Sequence, residues 1–254
     1  MARSLSVVRR WLLALSAAPM LGAAPMLGVA LLLAGCSGLP VTPVYSLDQL
    51  YRRAVNDART TEAVEVSHSL TPIVPGNKAL QWRDGRVLMV TWTGWTGYDA
   101  LVGSDTALTR EVWTTCAPAV RGYVAAHGPS ADRELRAKQA LGLPPTSYKV
   151  RFVELWCRPA DMFRPAMDPN ITTTTSGLDT PGWDLPVSLG AEYRAWYRAL
   201  RAGSYGDDGY PWTRLGYTYD WADPRHEEGL SEFVVRAGAA VGVNAVYANA
   251  AYLN

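Results

Sequence analysis

An uncharged apolar stretch near the amino terminus limits which part of this chain can form a globular domain. It runs from Trp11 to Ala34 and follows a basic start with no acidic residue, and within it the hexapeptide AAPMLG occurs twice, at 17–22 and 23–28. A basic start, an apolar stretch and small residues at its end are typical of a secretory signal peptide. An uncleaved membrane anchor is the alternative, because the stretch is long enough to span a bilayer. We therefore expect the folded domain to lie after residue 35.

The residues that end this stretch carry the most specific motif of the chain. Leu33-Ala34-Gly35-Cys36 resembles the lipobox of bacterial lipoproteins. The resemblance implies that residues 1–35 are a signal peptide, that cleavage falls before Cys36, and that a diacylglycerol is joined to the sulfur of Cys36. It implies export and a lipid anchor in the cell envelope, and Ser37 favours the periplasmic face of the outer membrane if the cell is Gram-negative. Export through the twin-arginine route, suggested by Arg9-Arg10, is an alternative. Beyond the leader, the chain resembles only uncharacterised envelope lipoproteins.

The segment between Cys36 and the first predicted helix is short. Residues 36–45 contain Pro40 and Pro43, and at about 3.3 Å per extended residue they reach about 30 Å. We expect this lipidated tether to hold a single domain, residues 46–254, close to the membrane. Without residues 1–35 the chain loses three arginines and no acid, so Lys+Arg falls from 24 to 21 against 23 Asp+Glu. This slightly negative balance gives no reason to expect a nucleic acid partner.

Helix-like and strand-like patterns are interleaved along residues 46–254 and predict an α+β fold. Ser46 and Gln49 form a capping box before apolar residues at helical spacing, and Asp84-Gly85 separates two strand-like runs as in a hairpin turn. The interleaving is too irregular for a doubly wound fold, so we expect a mainly antiparallel sheet with helices packed on one face. Further expected elements are helices near 118–126, 130–141 and 188–202, strands near 110–116, 148–157, 215–221 and 230–236, one more strand in the tail, and a long surface loop at 165–187.

Two cysteines remain besides Cys36. Cys116 ends the strand-like run EVWTTC, and Cys157 ends the run VRFVELWC. Because an exported domain matures where disulfides persist, we predict a disulfide between them if their strands are neighbours. In the chain-entropy model such a bridge would stabilise the fold by roughly 4 kcal/mol. The alternative is two buried thiols that act as small apolar side chains.

Few residues of the chain form a recognisable catalytic or metal-binding motif. His68, His127 and His226 are far apart, and no nucleotide-binding or hydrolase motif is present, so we predict no metal and no cofactor. Glu154 and Glu232 lie in strand-like runs among apolar neighbours, where desolvation raises a carboxyl pKa and suits general acid catalysis. Two such carboxyls could flank a glycosidic bond. The alternative is that each glutamate pairs with an arginine or faces solvent.

The densest aromatic stretch of the chain lies within residues 204–221, and the run TWTGWTGY at 91–98 adds further aromatic residues. Flat aromatic faces beside polar groups suit sugar rings and protein partners, so the stretch predicts a ligand or partner surface. The alternative is that these rings are core or cross-strand pairs. The predicted binding residues are Tyr210, Trp212, Tyr217, Tyr219 and Trp221.

These features together predict a lipid-anchored protein of the cell envelope, attached to the membrane through Cys36. We expect a non-catalytic binding or assembly component with an envelope protein or glycan as its partner. The alternative is an envelope glycan hydrolase that uses Glu154, Glu232 or both as acid and base.

Overall fold

Helices and strands are interleaved along the chain, as the α+β prediction requires. The structure, a computed structural model, describes residues 45–127, 132–178, 185–223 and 225–254. The helices within these residues are α1 (Leu47–Asp57), α2 (Ala117–Ala126), α3 (Arg133–Ala140), α4 (Ala191–Gly203) and α5 (Asn249–Leu253). The strands are β1 (Trp82–Arg83), β2 (Arg86–Thr93), β3 (Asp105–Ala107), β4 (Val112–Cys116), β5 (Arg151–Cys157), β6 (Met162–Phe163), β7 (Tyr217–Tyr219), β8 (Glu228–Ser231), β9 (Phe233–Val235) and β10 (Ala240–Ala248).

One antiparallel sheet contains all of these strands except β7 and β8. Its order is β3-β10-β5-β2-β4-β9-β6, and β1 pairs with the start of β2 on the same side as β4. The β1–β2 turn has positive φ at both Asp84 (51°) and Gly85 (72°), which confirms the predicted two-residue hairpin. The expected tail strand is β10, which pairs with β5 and β3. Strands β7 and β8 form a separate two-stranded sheet.

Helices cover one face of the main sheet, as predicted. Leu88, Phe152 and Trp156 on this face pack against buried residues of α2, α3 and α5. Further along the same face, α4 packs on Phe163 and Val234 through its buried tyrosines. Loops cover the opposite face, where buried residues of segments 70–80, 98–108 and 162–171 pack on side chains of β2, β5 and β10. The mainly antiparallel α+β fold is therefore confirmed.

Helix α1 lies against the β7–β8 side of the molecule. Its capping box is formed as predicted: the Ser46 hydroxyl accepts a hydrogen bond from the Gln49 N–H, and the Gln49 side chain accepts one from the Ser46 N–H. The apolar stripe of α1 packs on Tyr219 and Trp221. No helix in the described part of the chain is long and apolar enough to cross a bilayer.

Some predicted boundaries were wrong. Helix α4 begins at Ala191 rather than Ser188, because Gly190 has a φ of 76° and ends a short 3-10 turn before it. The strand predicted at 230–236 is interrupted at Glu232 and forms parts of two sheets, β8 and β9. Ser130, the predicted cap of α3, lies outside the described residues; Asp132 caps the helix by accepting a hydrogen bond from the Leu135 N–H at 2.8 Å.

Candidate functional site

Three carboxylates from distant parts of the chain meet beside a small cavity, and we call them the acidic cluster. Asp57 ends α1, Glu65 ends the 3-10 turn Ala63–Glu65, and Glu227 directly precedes β8. Each can place a carboxylate oxygen within 4.8 Å of the other two. Residues that line the cavity beside them include Thr60, Thr61, Tyr217 and Tyr219. The cluster is therefore formed by the contact of α1 with the β7–β8 sheet.

Burial and mutual repulsion favour a bound proton in the acidic cluster. Desolvation, followed by the charges of Glu65 and Asp57, raises the pKa of Glu227 to about 7. Desolvation also raises the pKa of Glu65. The Tyr219 hydroxyl donates a hydrogen bond to Asp57 Oδ2 at 2.8 Å, which fixes the position of that carboxylate beside the two glutamates. Near neutral pH, the Glu227 carboxyl therefore changes between its neutral and charged forms.

The acidic cluster has the oxygen ligands that a hard cation prefers, but too few of them to define a metal site. Ca²⁺ takes roughly six to eight oxygen ligands, and Mg²⁺ keeps near-octahedral geometry. Three carboxylates are too few for either ion, so we assign no metal to the acidic cluster. The sequence offered no signal for this cluster, because residues 57, 65 and 227 follow no ligand spacing.

Glu154, one of the two predicted catalytic residues, is held in a polar network on the helix-covered face of the sheet. Its carboxylate pairs with Arg121 at 3.2 Å and accepts a hydrogen bond from the Asn244 side-chain amide at 2.9 Å. Only 9% of the Glu154 side chain is exposed. This corresponds to the structural alternative, in which the glutamate pairs with an arginine.

Glu232, the other predicted catalytic residue, lies at the break between β8 and β9. Its side chain is buried, and Oε1 has no hydrogen-bond partner among the described residues. Desolvation raises the pKa of this carboxyl well above its ordinary value, and the positive charge of Arg164 opposes that shift. The Glu232 backbone N–H donates to the Gly216 carbonyl at 3.0 Å. Glu232 is thus a buried carboxyl that favours the neutral form.

Arg164, which acts on Glu232, is itself fully buried and organises the loops around it. Its guanidinium donates hydrogen bonds to four backbone carbonyls, those of Asn170 (3.2 Å), Gly216 (3.4 Å), Thr71 (3.3 Å) and Thr173 (3.0 Å). Burial lowers the pKa of Arg164 to about 10. The hydrogen bonds of the Arg164 guanidinium therefore connect three separate segments of the chain.

The structure does not bring Glu154 and Glu232 together. Strand β5 carries Glu154, while Glu232 directly precedes β9, and strands β2 and β4 lie between β5 and β9. Three strand spacings of about 4.8 Å amount to about 14 Å, whereas paired glycosidase carboxyls are roughly 5–9.5 Å apart. The paired arrangement that the hydrolase interpretation requires is therefore not present.

Four of the five predicted aromatic binding residues are in the core, so that prediction was wrong for them. Trp212, Tyr217, Tyr219 and Trp221 are each no more than 5% exposed, and Tyr210 alone of the five is exposed, at 52%. Their polar atoms are satisfied internally; for example, the Trp212 and Trp221 indole N–H groups donate to the carbonyls of Pro165 and Leu143. Because Tyr and Trp can bury their rings while bonding through one polar atom, an aromatic-rich segment does not need to be a surface.

Two other aromatic side chains are exposed on neighbouring loops. Trp95 is 57% exposed and Tyr148 is 83% exposed. Their loops are in contact, since the Val150 N–H donates to the Thr93 carbonyl at 3.0 Å, and a Cβ on Gly94 would lie 3.0 Å from the Tyr148 carbonyl oxygen. We call Trp95 and Tyr148 the exposed aromatic pair.

The predicted disulfide between Cys116 and Cys157 is absent, because their strands are not neighbours. Both residues are buried free thiols, and β2 lies between β4 and β5. Two strand spacings separate the Cα atoms by at least about 9 Å, beyond the upper limit of roughly 7 Å for a disulfide. Burial raises the pKa of each thiol to about 12. The two cysteines are therefore unreactive members of the apolar core, which was the alternative interpretation.

The predicted lipidation residue, Cys36, lies outside the described residues. Comparison of the chain with protein-family models, curated proteins and solved structures gives no match.

Proposed function

We propose that this chain is a lipid-anchored protein of the cell envelope that works by binding a partner. The observation that carries the proposal is the motif Leu33-Ala34-Gly35-Cys36, directly after an uncharged stretch and a basic start. One acyl chain holds a protein to a membrane only marginally, and two hold it stably. A diacylglycerol on Cys36 would therefore be sufficient as an anchor, and Ser37 supports the outer membrane as its location in a Gram-negative cell.

The exposed aromatic pair supports a binding role for the domain. Trp95 and Tyr148 offer flat apolar faces to solvent, and the ion pair of Arg151 with Asp99 lies near them, with N–O distances of 3.2 Å. Aromatic rings beside charged groups are common in the contact sites of protein partners and are suited to sugar rings. This pair takes the place of the residue 210–221 segment as the proposed contact surface for an envelope protein or glycan.

Metabolic labelling tests the lipid anchor. The full chain is expressed in a bacterial host with an alkyne analogue of palmitate, and label and membrane association are compared between wild type and Cys36→Ala. We expect the substitution to abolish both, because it removes the acceptor sulfur. The matched control is Cys116→Ala, which removes a buried cysteine and should keep the label. Full labelling of Cys36→Ala would contradict the proposal.

Retention on native envelope material tests the binding surface. The double variant Trp95→Ala and Tyr148→Ala should lose most retention while its unfolding curve changes little, because both side chains are more than half exposed. Val187→Ala, which truncates a side chain that is 77% exposed elsewhere, is the control. Undiminished retention of the double variant would exclude this pair as the contact surface.

A further inference from the structure

Exposed apolar side chains lie where the chain enters the domain. Tyr45, the first described residue, is 40% exposed, and Leu47, the first residue of α1, is 42% exposed. The Tyr45 ring lies beside the helix, with the Arg53 guanidinium carbon 4.4 Å from its centroid. The apolar stripe of α1 is covered from Leu50 onwards, so Leu47 extends beyond the part that the core protects.

A third exposed aromatic residue, Tyr210, lies on a loop that contacts the first turns of α1. The Tyr51 hydroxyl donates a hydrogen bond at 3.0 Å to the carbonyl of Gly209, the neighbour of Tyr210. Tyr51 lies one helical turn after Leu47, on the same side of α1. Tyr210 is 52% exposed. We call Tyr45, Leu47 and Tyr210 the N-terminal corner.

We infer that the N-terminal corner rests in the lipid interface, with its three apolar side chains among the lipid headgroups. This inference rests on the proposed lipid anchor at Cys36. The nine residues before Tyr45 can separate the corner from the bilayer by no more than about 30 Å, so the tether keeps this part of the domain close to the membrane. Tyrosine is enriched at membrane interfaces because its ring is apolar and its hydroxyl is polar.

Charges around the corner indicate insertion of apolar groups rather than attraction to anionic lipids. The exposed charged residues there are Arg52, Arg53, Asp48, Asp207, Asp208 and Arg59, whose guanidinium donates to the Tyr205 carbonyl in the loop that leads to Tyr210. Arg52 is paired with Asp48 at 2.9 Å and interacts with both Asp207 and Asp208. Three acids balance the three arginines and leave no basic patch, so the contact should be insensitive to salt.

Site-specific fluorescence on reconstituted protein tests this orientation. The lipidated protein is purified from membranes and placed in vesicles of phosphatidylethanolamine with a minority of phosphatidylglycerol. Leu47→Cys, Tyr210→Cys and the control Val187→Cys each receive an NBD fluorophore. The buried thiols of Cys116 and Cys157 stay unlabelled in the folded protein, and lipidation blocks Cys36. Val187 lies just before the N-terminal end of α4. The length of this helix places Val187 about 20 Å from the turn after its C-terminal end, which leads to Tyr210.

Quenching by lipids with a nitroxide on the acyl chain is the readout. We expect NBD at 47 and 210 to shift to shorter wavelength and to be quenched several-fold more than NBD at 187, with no change at high salt. Equal quenching at all three positions, or none at 47 and 210, would overturn the inference. Loss of quenching at high salt would also overturn it, because it would indicate attraction by charge. Mass spectrometry of the same samples separates the two proposals: absence of lipid on Cys36 overturns both, whereas lipid on Cys36 with water-exposed probes overturns this inference alone.

Discussion

The main sheet and the loops beside β9 are held together by different kinds of contact. In the sheet, Val87, Met89, Val153 and Leu155 are fully buried, and ladder hydrogen bonds pair β2 with β5 over seven positions. In the loops, two fully buried arginines donate hydrogen bonds to backbone carbonyls that are not paired with a neighbouring strand. Arg164 serves one group of loops, and Arg214 donates to the Ala58 carbonyl at 2.8 Å and the Arg59 carbonyl at 3.2 Å.

This difference shows how buried backbone carbonyls find hydrogen-bond donors where no neighbouring strand provides them. A buried carbonyl without a partner costs free energy comparable to a lost hydrogen bond. The arginine fork can serve several carbonyls at once and stays charged when buried. The loops can therefore pack beside the sheet without forming strands, but their order depends on a few polar side chains.

The largest expected effect is in the sheet. Phe152 is fully buried and stacks between Trp92 and Tyr252, with ring centroids at 4.7 and 4.3 Å. Phe152→Ala should lower the free energy of unfolding by about 3–5 kcal/mol, because it removes both contacts and leaves a cavity. Urea unfolding measures this loss, and labelling of the buried thiols Cys116 and Cys157 should become faster. The exposed control Tyr148→Ala should change stability by less than about 0.5 kcal/mol. An equal loss in both variants would contradict the prediction.

A smaller and more local effect is expected in the loops. Arg164→Met keeps an apolar stem but removes the donors to four carbonyls, so we expect a loss of about 2–3 kcal/mol. Limited proteolysis should show faster cleavage within residues 165–178. Labelling of Cys157 should change little, because β2 and β4 separate β5 from β9, on which the Arg164 guanidinium packs. The control is Arg158→Met, at an arginine whose side chain is 54% exposed. If thiol labelling and proteolysis accelerate together, the two regions unfold as one and the comparison fails.

The smallest effect is a pH dependence confined to the acidic cluster. The folded-state pKa of Glu227, about 7, lies above its ordinary value of 4.5, so the folded protein binds this proton more tightly than the unfolded chain. The resulting stability is present below about pH 4.5 and is lost as the pH rises through 7. Partial solvent contact limits the change to about 1–2 kcal/mol. Glu227→Gln, which stays neutral, should flatten this decline between pH 5 and 8 in urea unfolding. Glu192→Gln on the exposed face of α4 should keep the wild-type slope, and an unchanged slope in Glu227→Gln would refute the assignment.

Local signals in the sequence predicted local structure well. The capping box at Ser46 and the turn at Asp84-Gly85 depend on residues within a few positions of each other, and both are formed. The α+β class followed from the interleaving of such signals. The break at Glu232 could not be predicted, because a continuous apolar alternation does not reveal that two sheets share one segment.

The candidate sites depended on long-range neighbours and were predicted poorly. The bridge of Cys116 with Cys157 assumed adjacent strands, and the strand order places β2 between them. The aromatic segment could equally have been core or surface, and the internal carbonyl partners of Trp212 and Trp221 place it in the core. The acidic cluster joins residues that are far apart in the chain, so no spacing could indicate it.

The amino-acid sequence is sufficient to predict the first helix, the hairpin and the α+β class, because each depends on the order of residues along the chain. The lipobox at Cys36 depends on the same kind of local order and stays a prediction, since Cys36 lies outside the described residues. The pairing of strands, the burial of the aromatic residues, the meeting of Asp57, Glu65 and Glu227, and the exposure of Trp95 and Tyr148 required the folded molecule. These features arise from contacts between residues distant in sequence, where strand order and burial decide which side chains meet.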